Sequence, residues 1–182
     1  RAIIERACSE LAELRHQFDD LRFSINISAA TLASPGIADY IKSSLIEHEL
    51  PHDALMLEIT ESMLLTDESE LVNTLHAIID LGVQFMIDDF GTGYSSLSRL
   101  NELPIKFVKI DRSFLSNIEQ SANPMCQAII QLAHSLSMKV IGEGIETDRQ
   151  QRLLTELGCD YLQGYHIAAP MSTRELSAYL RL

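Results

Sequence analysis

The chain has 182 residues, of which 46% are hydrophobic, and its 26 acidic against 14 basic side chains give a formal net charge of −12. One domain with a sizeable core is therefore expected, and the acidic balance argues against DNA or RNA binding in an extended groove, which needs a basic surface. No apolar run is long enough to span a bilayer and no signal-peptide pattern is present, which predicts no direct membrane insertion.

Two further expectations follow, one from the cysteines and one from the start of the sequence. Cys8, Cys126 and Cys159 are odd in number and widely spaced, so they form neither a disulfide framework nor a zinc pattern. Buried free thiols in a reducing cytosol are expected. The sequence opens at Arg1, without methionine and already inside a helical pattern, which indicates a piece of a longer chain.

Strand and helix patterns alternate along the chain. The predicted strands are 22–27, 55–59, 84–87, 105–110, 139–142 and 159–163. The first predicted helix covers roughly residues 1–17. The later helices are predicted to begin at Ser34–Pro35, Thr66–Asp67–Glu68, Asn123–Pro124, Thr147–Asp148 and Ser172, where Glu175 completes a capping box. This alternation is typical of a parallel sheet covered by helices, and it leaves doubly wound and barrel architectures both open.

A polar residue lies at the end of each predicted strand. In chain order these residues are Asn26, Glu58, Asp88 with Asp89, Lys109 with Asp111, Glu143 and Gln163. A doubly wound sheet concentrates such residues at one crevice, whereas a (β/α)8 barrel places them in a ring at its C-terminal mouth. The pattern therefore favours an α/β fold of the (β/α)8 TIM-like barrel type, with six of its eight strands in this chain and two expected before Arg1.

The chemistry of these strand ends predicts a site for divalent cations. The donors are oxygen atoms, with no histidine or cysteine among them, which suits Mg²⁺ or Mn²⁺ better than zinc. The adjacent carboxylates of Asp88 and Asp89 oppose each other's ionisation unless a cation lies nearby. They can serve two ions about 3.5–4 Å apart, the arrangement used to cleave phosphate esters. Lys109 can neutralise a phosphoryl oxygen or hold the attacking water.

Each of these residues also has a purely structural interpretation. Strand-end acids often cap helices or form turns, and Asp111 fits the opening of a turn as well as a pocket role. Lys109 alone is typical of a lysine with a buried stem and a solvated ammonium group. A barrel lyase with Lys109 as a Schiff-base amine is another alternative, although the acidic surroundings favour a protonated lysine. The prediction of catalysis depends on the whole set of residues.

Six stretches resemble a known family: FSINIS, LEITES, IDDFGTGYSSL, VKIDRSF, VIGEGIET and YLQGYHIAAPM. In this order, over nearly the whole chain, they resemble the EAL family, bacterial phosphodiesterases that hydrolyse cyclic di-GMP to the linear dinucleotide pGpG. The resemblance implies that residues 1–182 form a single EAL domain of a cytoplasmic protein. It also implies further signalling domains, in some cases a membrane tether, in the parent chain, and homodimerisation linked to metal binding through the glycine-rich loop.

The resemblance also implies a set of metal ligands. Asn26, Glu58 and Asp88 would coordinate one cation, and Asp88 with Asp89 would reach toward a second. Glu143 would help to position the second cation or its water.

Other residues receive catalytic or supporting roles from the same resemblance. Lys109 and Gln163 would orient the nucleophilic water. Glu61 matches the glutamate that steadies the glycine-rich Asp89–Ser96 loop. Asp111 and Glu146 match further pocket positions, Glu146 in a supporting role.

One departure from the family pattern lowers the activity expected of this chain. The Glu-Ala-Leu motif that names the family, with its following arginine, is absent from the sequence. In the family it lies on the second barrel strand and supplies a metal ligand and a phosphate contact. We therefore expect an N-terminally truncated domain, which either was cut from a longer chain or natively lacks that unit. We predict weak or no hydrolysis by the chain alone and an active parent domain. The alternative is a non-catalytic sensor of cyclic di-GMP, although such relatives usually lack a metal ligand or the DDFGTGYSS loop, and both are present here.

Overall fold

The computed structural model describes residues 1–65, 69–91, 103–115 and 124–181. Within them lie six strands: β1 (Phe23–Asn26), β2 (Leu55–Thr60), β3 (Gln84–Phe90), β4 (Phe107–Ile110), β5 (Lys139–Gly142) and β6 (Tyr161–Leu162). The α-helices described are α1 (Ala2–Arg15), α2 (Ala29–Leu32), α3 (Ile37–Glu47), α4 (Ser69–Asp80), α5 (Pro124–Ser135), α6 (Asp148–Glu156) and α7 (Thr173–Tyr179). The strands form one sheet in chain order, and the pairs β1–β2, β3–β4, β4–β5 and β5–β6 are parallel. This alternation confirms the predicted α/β class.

The chain divides into two compact units. The first comprises Arg1–Ile59, Thr66–Phe85 and Met171–Leu182, and the second comprises Thr60–Leu65 and Met86–Pro170. Among the helices described, none is long and apolar enough to cross a bilayer.

Helix α1 supplies much of the core of the first unit. Three residues of its apolar stripe, Ile4, Cys8 and Leu11, are at most 1% exposed, and the helix contacts both α3 and β1. The spacing of these residues places them on one helical face. A polar contact joins the same two helices, because the Glu5 carboxylate accepts a hydrogen bond from Ser44 at 3.2 Å and lies 2.8 Å from His48 Nε2.

The predicted start of α3 at Ser34–Pro35 is wrong. The helix begins at Ile37 after Gly36, whose φ of 72° is left-handed, and the hydroxyl of Ser34 donates to the Ala30 carbonyl at 3.0 Å instead of capping α3. That carbonyl belongs to the short helix α2, which was not predicted. Four residues cannot display a helical stripe, so hydrophobic periodicity gives no signal for α2.

In the second unit, β4 lies between β3 and β5, and all four of its residues are buried. Helix α5 contacts β4 and β5 and buries Cys126, Ile129, Ile130 and Ala133. A strand that is covered in this way is normally apolar along its whole length. The charged Lys109 is therefore an exception in β4. The three cysteines are free, as expected, and Cys159 is only partly buried.

The predicted caps at Thr147 and Ser172 agree with the structure, unlike the one at Ser34. Thr147 with Gln150 and Ser172 with Glu175 form complete capping boxes at the starts of α6 and α7. The predicted caps at 66–68 and at Asn123 lie outside the described residues.

Candidate functional site

Lys109, on β4, forms the centre of an ionic cluster in the second unit. The residue is 5% exposed. Its Nζ lies 3.5 Å from Asp88 Oδ1, on β3, and forms an ion pair with Glu143 Oε1, directly after β5. A buried ammonium group is stable only when it is paired, so the two carboxylates account for the position of the lysine. The structure brings these three predicted site residues together.

A β-bulge sets Asp88 and Asp89 opposite Lys109. Ile87 pairs with Val108 and Phe90 pairs with Ile110, so β3 has two residues where β4 has one. The φ of Asp89 is 55°, and its backbone N–H donates to Asp88 Oδ1 at 3.0 Å. In a regular strand two neighbouring side chains point to opposite faces. A bulge changes that alternation and often lies next to an active site.

The pKa of Asp89 is shifted in the direction that the sequence predicts for two adjacent carboxylates. Burial raises the pKa of Asp89, and the negative charges of Asp88 and Asp111 raise it further, while Lys109 opposes them. The carboxyl group thus resists ionisation more than an isolated aspartate does. A bound divalent cation would reverse this balance because it is a large local positive charge.

Glu61 holds the end of β3 from inside the same unit. It begins a short 3-10 helix, Glu61–Leu65, directly after β2, and is 3% exposed. Its Oε2 accepts a hydrogen bond from the Gly91 N–H at 2.8 Å, and its Oε1 has no partner within the described ranges. Gly91 belongs to the loop that Glu61 is predicted to steady, and the rest of that loop, 92–96, lies outside the described residues.

Asn26 and Glu58 belong to the first unit. They are paired in register at the ends of β1 and β2, so their Cα atoms are neighbours across the two parallel strands. Glu58 is 6% exposed, and Asn26 is exposed. The Ile27 N–H donates to the Glu58 carbonyl at 3.0 Å, which extends the ladder past the end of β1.

The remaining predicted residues lie in the loops after β4, β5 and β6. Asp111 caps a 3-10 helix, Arg112–Phe114, by accepting from Ser113 N at 2.9 Å. Hydrogen bonding to Ser113 lowers the pKa of Asp111 below its ordinary value, so its turn-opening role is realised. Glu146 and Gln163 are exposed, and the backbone of Gln163 bonds to Gly142 and Ile145.

The donors fit hard divalent cations in their chemistry. They are carboxylate and amide oxygens, the ligands that Mg²⁺ and Mn²⁺ accept, and the raised pKa of Asp89 is the electrostatic state that a cation would relieve. Within the described parts of the chain, no three His, Cys, Asp or Glu side chains form a group that could hold a metal ion. The metal-ligand roles of individual residues therefore stay predictions.

The family follows from comparison with known proteins. The model of the EAL domain matches residues 1–170. The chain belongs to the EAL domain family. Its fold agrees with solved EAL domains: 96% of the chain superposes with a TM-score of 0.89 and 36% identity on 72% of a structure titled "PaMucR Phosphodiesterase, c-di-GMP complex". All of the chain superposes on 83% of the EAL domain of Mycobacterium smegmatis DcpA, with a TM-score of 0.92 and 34% identity. The predicted family and its barrel-type fold are confirmed.

Two curated relatives resemble this EAL domain along almost its whole length. The signaling protein YkoW of Bacillus subtilis is 38% identical over 180 residues, which is 98% of this chain. The cyclic di-GMP phosphodiesterase NbdA of Pseudomonas aeruginosa is 37% identical over 182 residues, also 98% of this chain. The chain spans only 22% and 23% of the lengths of these two proteins.

Proposed function

We propose that this EAL domain hydrolyses cyclic di-GMP to the linear dinucleotide pGpG with two divalent cations, Mg²⁺ or Mn²⁺. The observation that carries the proposal is the cluster of Lys109 with Asp88 and Glu143. The names of similar proteins supply the substrate, because NbdA is a cyclic di-GMP phosphodiesterase and the MucR structure is a complex with c-di-GMP.

The identity of the product, pGpG, determines which bond forms and which bond breaks. Water adds its oxygen to one phosphorus atom, and the bond from that phosphorus to the 3′ oxygen breaks, which leaves a 5′ phosphate and a free 3′ hydroxyl. The bound cations would polarise the phosphate and lower the pKa of the attacking water. We propose Asn26, Glu58, Asp88 and Asp89 as their ligands, with Glu143 positioning the second cation or its water.

The cationic side chain at the centre of the cluster has a role of its own. The ammonium group of Lys109 carries three N–H donors, and Asp88 and Glu143 hold it in place. It can therefore donate to the attacking water while its charge offsets the negative charge that develops on the phosphate. We propose that Gln163 orients the same water, and that Glu61 holds the loop after β3 through Gly91.

The test is an assay of cyclic di-GMP turnover with Mg²⁺ or Mn²⁺, with pGpG resolved by ion-exchange chromatography. The sequence lacks Glu-Ala-Leu, so we expect the 182-residue chain to act weakly and a longer protein that contains the motif to form pGpG fully. Full turnover by the chain alone would contradict the first expectation. Tight binding without pGpG from either protein would favour the alternative, a sensor of cyclic di-GMP. Homodimerisation remains part of the proposal.

A further inference from the structure

Helix α6 buries two residues, and one of them is polar. Leu154 is fully buried and Gln150 is 8% exposed. The leucine packs on the end of β5, where a Cβ added at Gly142 would lie 2.6 Å from Leu154 Cδ1. A glutamine is seldom buried unless its amide group is hydrogen-bonded. The proposed mechanism gives Gln150 no role, so its burial beside the strand end needs an explanation of its own.

The side-chain oxygen of Gln150 is the acceptor for two backbone N–H groups. Its Oε1 accepts from Glu146 N at 2.8 Å and from Thr147 N at 3.1 Å. In return, Gln150 N donates to Thr147 Oγ1 at 3.2 Å, which completes the capping box of α6. A capping box requires only the bond to the N-cap N–H, and the bond to Glu146 is additional to it. Gln150 therefore holds the chain that precedes α6 as well as the helix itself.

The turn that Gln150 holds carries the carboxylate of Glu143. Residues 143–147 connect β5 to α6. The Glu143 N–H donates to the Ile110 carbonyl at 3.2 Å, and the Ile145 N–H donates to a carbonyl in the loop after β6 at 3.1 Å. These two bonds fix the start and the middle of the turn. The bonds to Gln150 fix its end, so the whole connection from β5 to α6 is held by hydrogen bonds.

We propose that Gln150 is a positioning residue for the hydrolysis, because its Oε1 holds the turn in the conformation that directs Glu143 toward Lys109. The inference rests on the proposed function and deepens it. Glu143 pairs with Lys109 and is followed directly by Gly144, whose φ is 65°. A glycine restricts the backbone less than any other residue, so the direction of Glu143 depends on the bonds further along the turn. A displacement of about 1 Å in a catalytic group can lower a rate about 100-fold.

The variants that test this role are Gln150→Met and Gln150→Glu. Methionine has a similar length, but a weak sulfur acceptor replaces the amide oxygen, so both bonds to the turn are lost. Glutamate keeps an oxygen acceptor and is the other residue that completes a capping box, so it should hold the turn. The matched control is Glu175→Met, which breaks the capping box of α7 in the first unit. Thermal unfolding of each variant sets an assay temperature at which its fold is retained.

Hydrogen exchange of backbone amides, followed by NMR on the 182-residue chain without metal or substrate, tests the contact itself. In Gln150→Met the amides of Glu146 and Thr147 should exchange about tenfold faster than in wild type, the effect of losing one hydrogen bond. In Gln150→Glu and in Glu175→Met these two amides should exchange as in wild type. Unchanged exchange in Gln150→Met would overturn the proposal.

Steady-state formation of pGpG by a longer protein that contains Glu-Ala-Leu tests the consequence for the reaction. Gln150→Met should lower kcat about 10- to 100-fold, the range found for groups that orient the residues of a metal site, with little change in KM. Gln150→Glu should retain most of kcat and raise KM, because its added negative charge repels an anionic dinucleotide. Glu175→Met should change neither constant. An unchanged kcat in Gln150→Met, or an equal loss of kcat in Gln150→Glu, would overturn the proposal.

The outcomes separate this inference from the proposed function. Formation of pGpG that Gln150→Met leaves intact would refute the positioning role and support hydrolysis. If the wild-type longer protein formed no pGpG, hydrolysis would be refuted, and a direct titration with Mn²⁺ would then decide the role of Gln150. Weaker Mn²⁺ binding by Gln150→Met than by Glu175→Met would support the positioning of Glu143, and equal binding would overturn it.

Discussion

Lys109 Nζ lies 3.5 Å from Asp88 Oδ1, and this contact joins the middle of β4 to the bulge in β3. The bulge places two aspartates opposite one lysine, so the negative charge at this strand end exceeds what the lysine alone can balance. Glu143, on the other side of Lys109, adds a further carboxylate. This excess of carboxylates over ammonium groups is the physical basis of the proposed cation binding at these strand ends.

Replacing Lys109 with methionine should abolish most of the turnover. Methionine has a similar length but no charge, so Asp88 and Glu143 would lose their shared partner and the water would lose a donor. Removing one preorganised electrostatic donor typically lowers kcat about 10²–10³-fold. The measurement is pGpG formation at saturating Mn²⁺ by a longer protein that contains Glu-Ala-Leu, with Lys106→Met as the control because Lys106 is exposed one residue before β4. A loss below tenfold, or an equal loss in the control, would contradict a catalytic role.

Replacing Asp88 with asparagine should weaken the binding of Mn²⁺ in a direct titration. The carboxylate in the bulge is the proposed ligand of both cations, and an amide oxygen lacks the negative charge. We expect a loss of affinity of at least about tenfold, in the range found when the surroundings of a metal site are altered. Asp53→Asn is the control, since Asp53 pairs with Arg22 in a partly exposed ion pair of the first unit. Equal affinity in both variants would exclude Asp88 as a ligand.

Replacing Glu61 with alanine should destabilise the end of β3. The substitution removes the acceptor of the Gly91 N–H and leaves a cavity at a position that is 3% exposed. Loss of a buried hydrogen bond to a charged group costs about 1.5–3 kcal/mol. Urea denaturation measures the effect, and Ser62→Ala, at the next and exposed position, serves as the control. If Glu61→Ala bound Mn²⁺ as wild type, the proposed link between this contact and the site would be wrong.

Features that depend on local sequence were predicted well. Thr147 and Ser172 cap helices through contacts three residues away, so the residues that decide the structure are adjacent in the chain. The predicted start at Ser34–Pro35 failed because the hydroxyl of Ser34 has a competing partner, the Ala30 carbonyl. A short polar side chain can bond to the turn before it as readily as to the helix after it.

Features that depend on strand pairing were not accessible from the sequence. The bulge at Asp88 and Asp89 is defined by register with β4, about twenty residues later, and no local pattern reports that register. The packing of Arg112 on Gly144, which belongs to another loop, is likewise a contact that no local pattern reports. The quoted stretches VKIDRSF and VIGEGIET contain both residues, so the motifs marked the region but not the contact.

Asp160 should make the stability of the protein depend on pH in the acidic range. Its carboxylate accepts from Lys139 Nζ at 2.5 Å and from Val140 N at 2.9 Å, and it lies 2.8 Å from His134 Nε2. Burial raises the pKa, but these hydrogen bonds outweigh it and lower the pKa from 3.8 to about 2. Because the folded pKa is lower than the unfolded value, this contribution is present above about pH 4 and is lost as pH falls toward 2.

The variant Asp160→Asn tests this dependence. Near neutral pH it should lower the free energy of unfolding by about 1–3 kcal/mol, because it replaces a charged acceptor by a neutral amide. The difference from wild type should shrink as pH is lowered from about 4 to about 2. Asp148→Asn is the matched control, since Asp148 pairs with Arg152 at the exposed surface of α6, where such pairs contribute about 0.3–0.5 kcal/mol. A pH-independent difference would assign the effect of Asp160 to packing.

Gly164, which follows Gln163, should not tolerate a side chain, because the backbone of Ile145 lies too close to it. An added Cβ would lie 2.2 Å from both the nitrogen and the oxygen of Ile145, and those same atoms bond to Gln163 and His166. Relieving the clash would require backbone movement, so we expect Gly164→Ala to cost about 3 kcal/mol or more in urea denaturation. Gly36→Ala is the comparison: its Cβ would meet no atom within 4 Å, and only its φ of 72° opposes alanine. That conformation costs about 1–2 kcal/mol, so a loss in Gly164→Ala no larger than in Gly36→Ala would show that the Ile145 backbone yields easily.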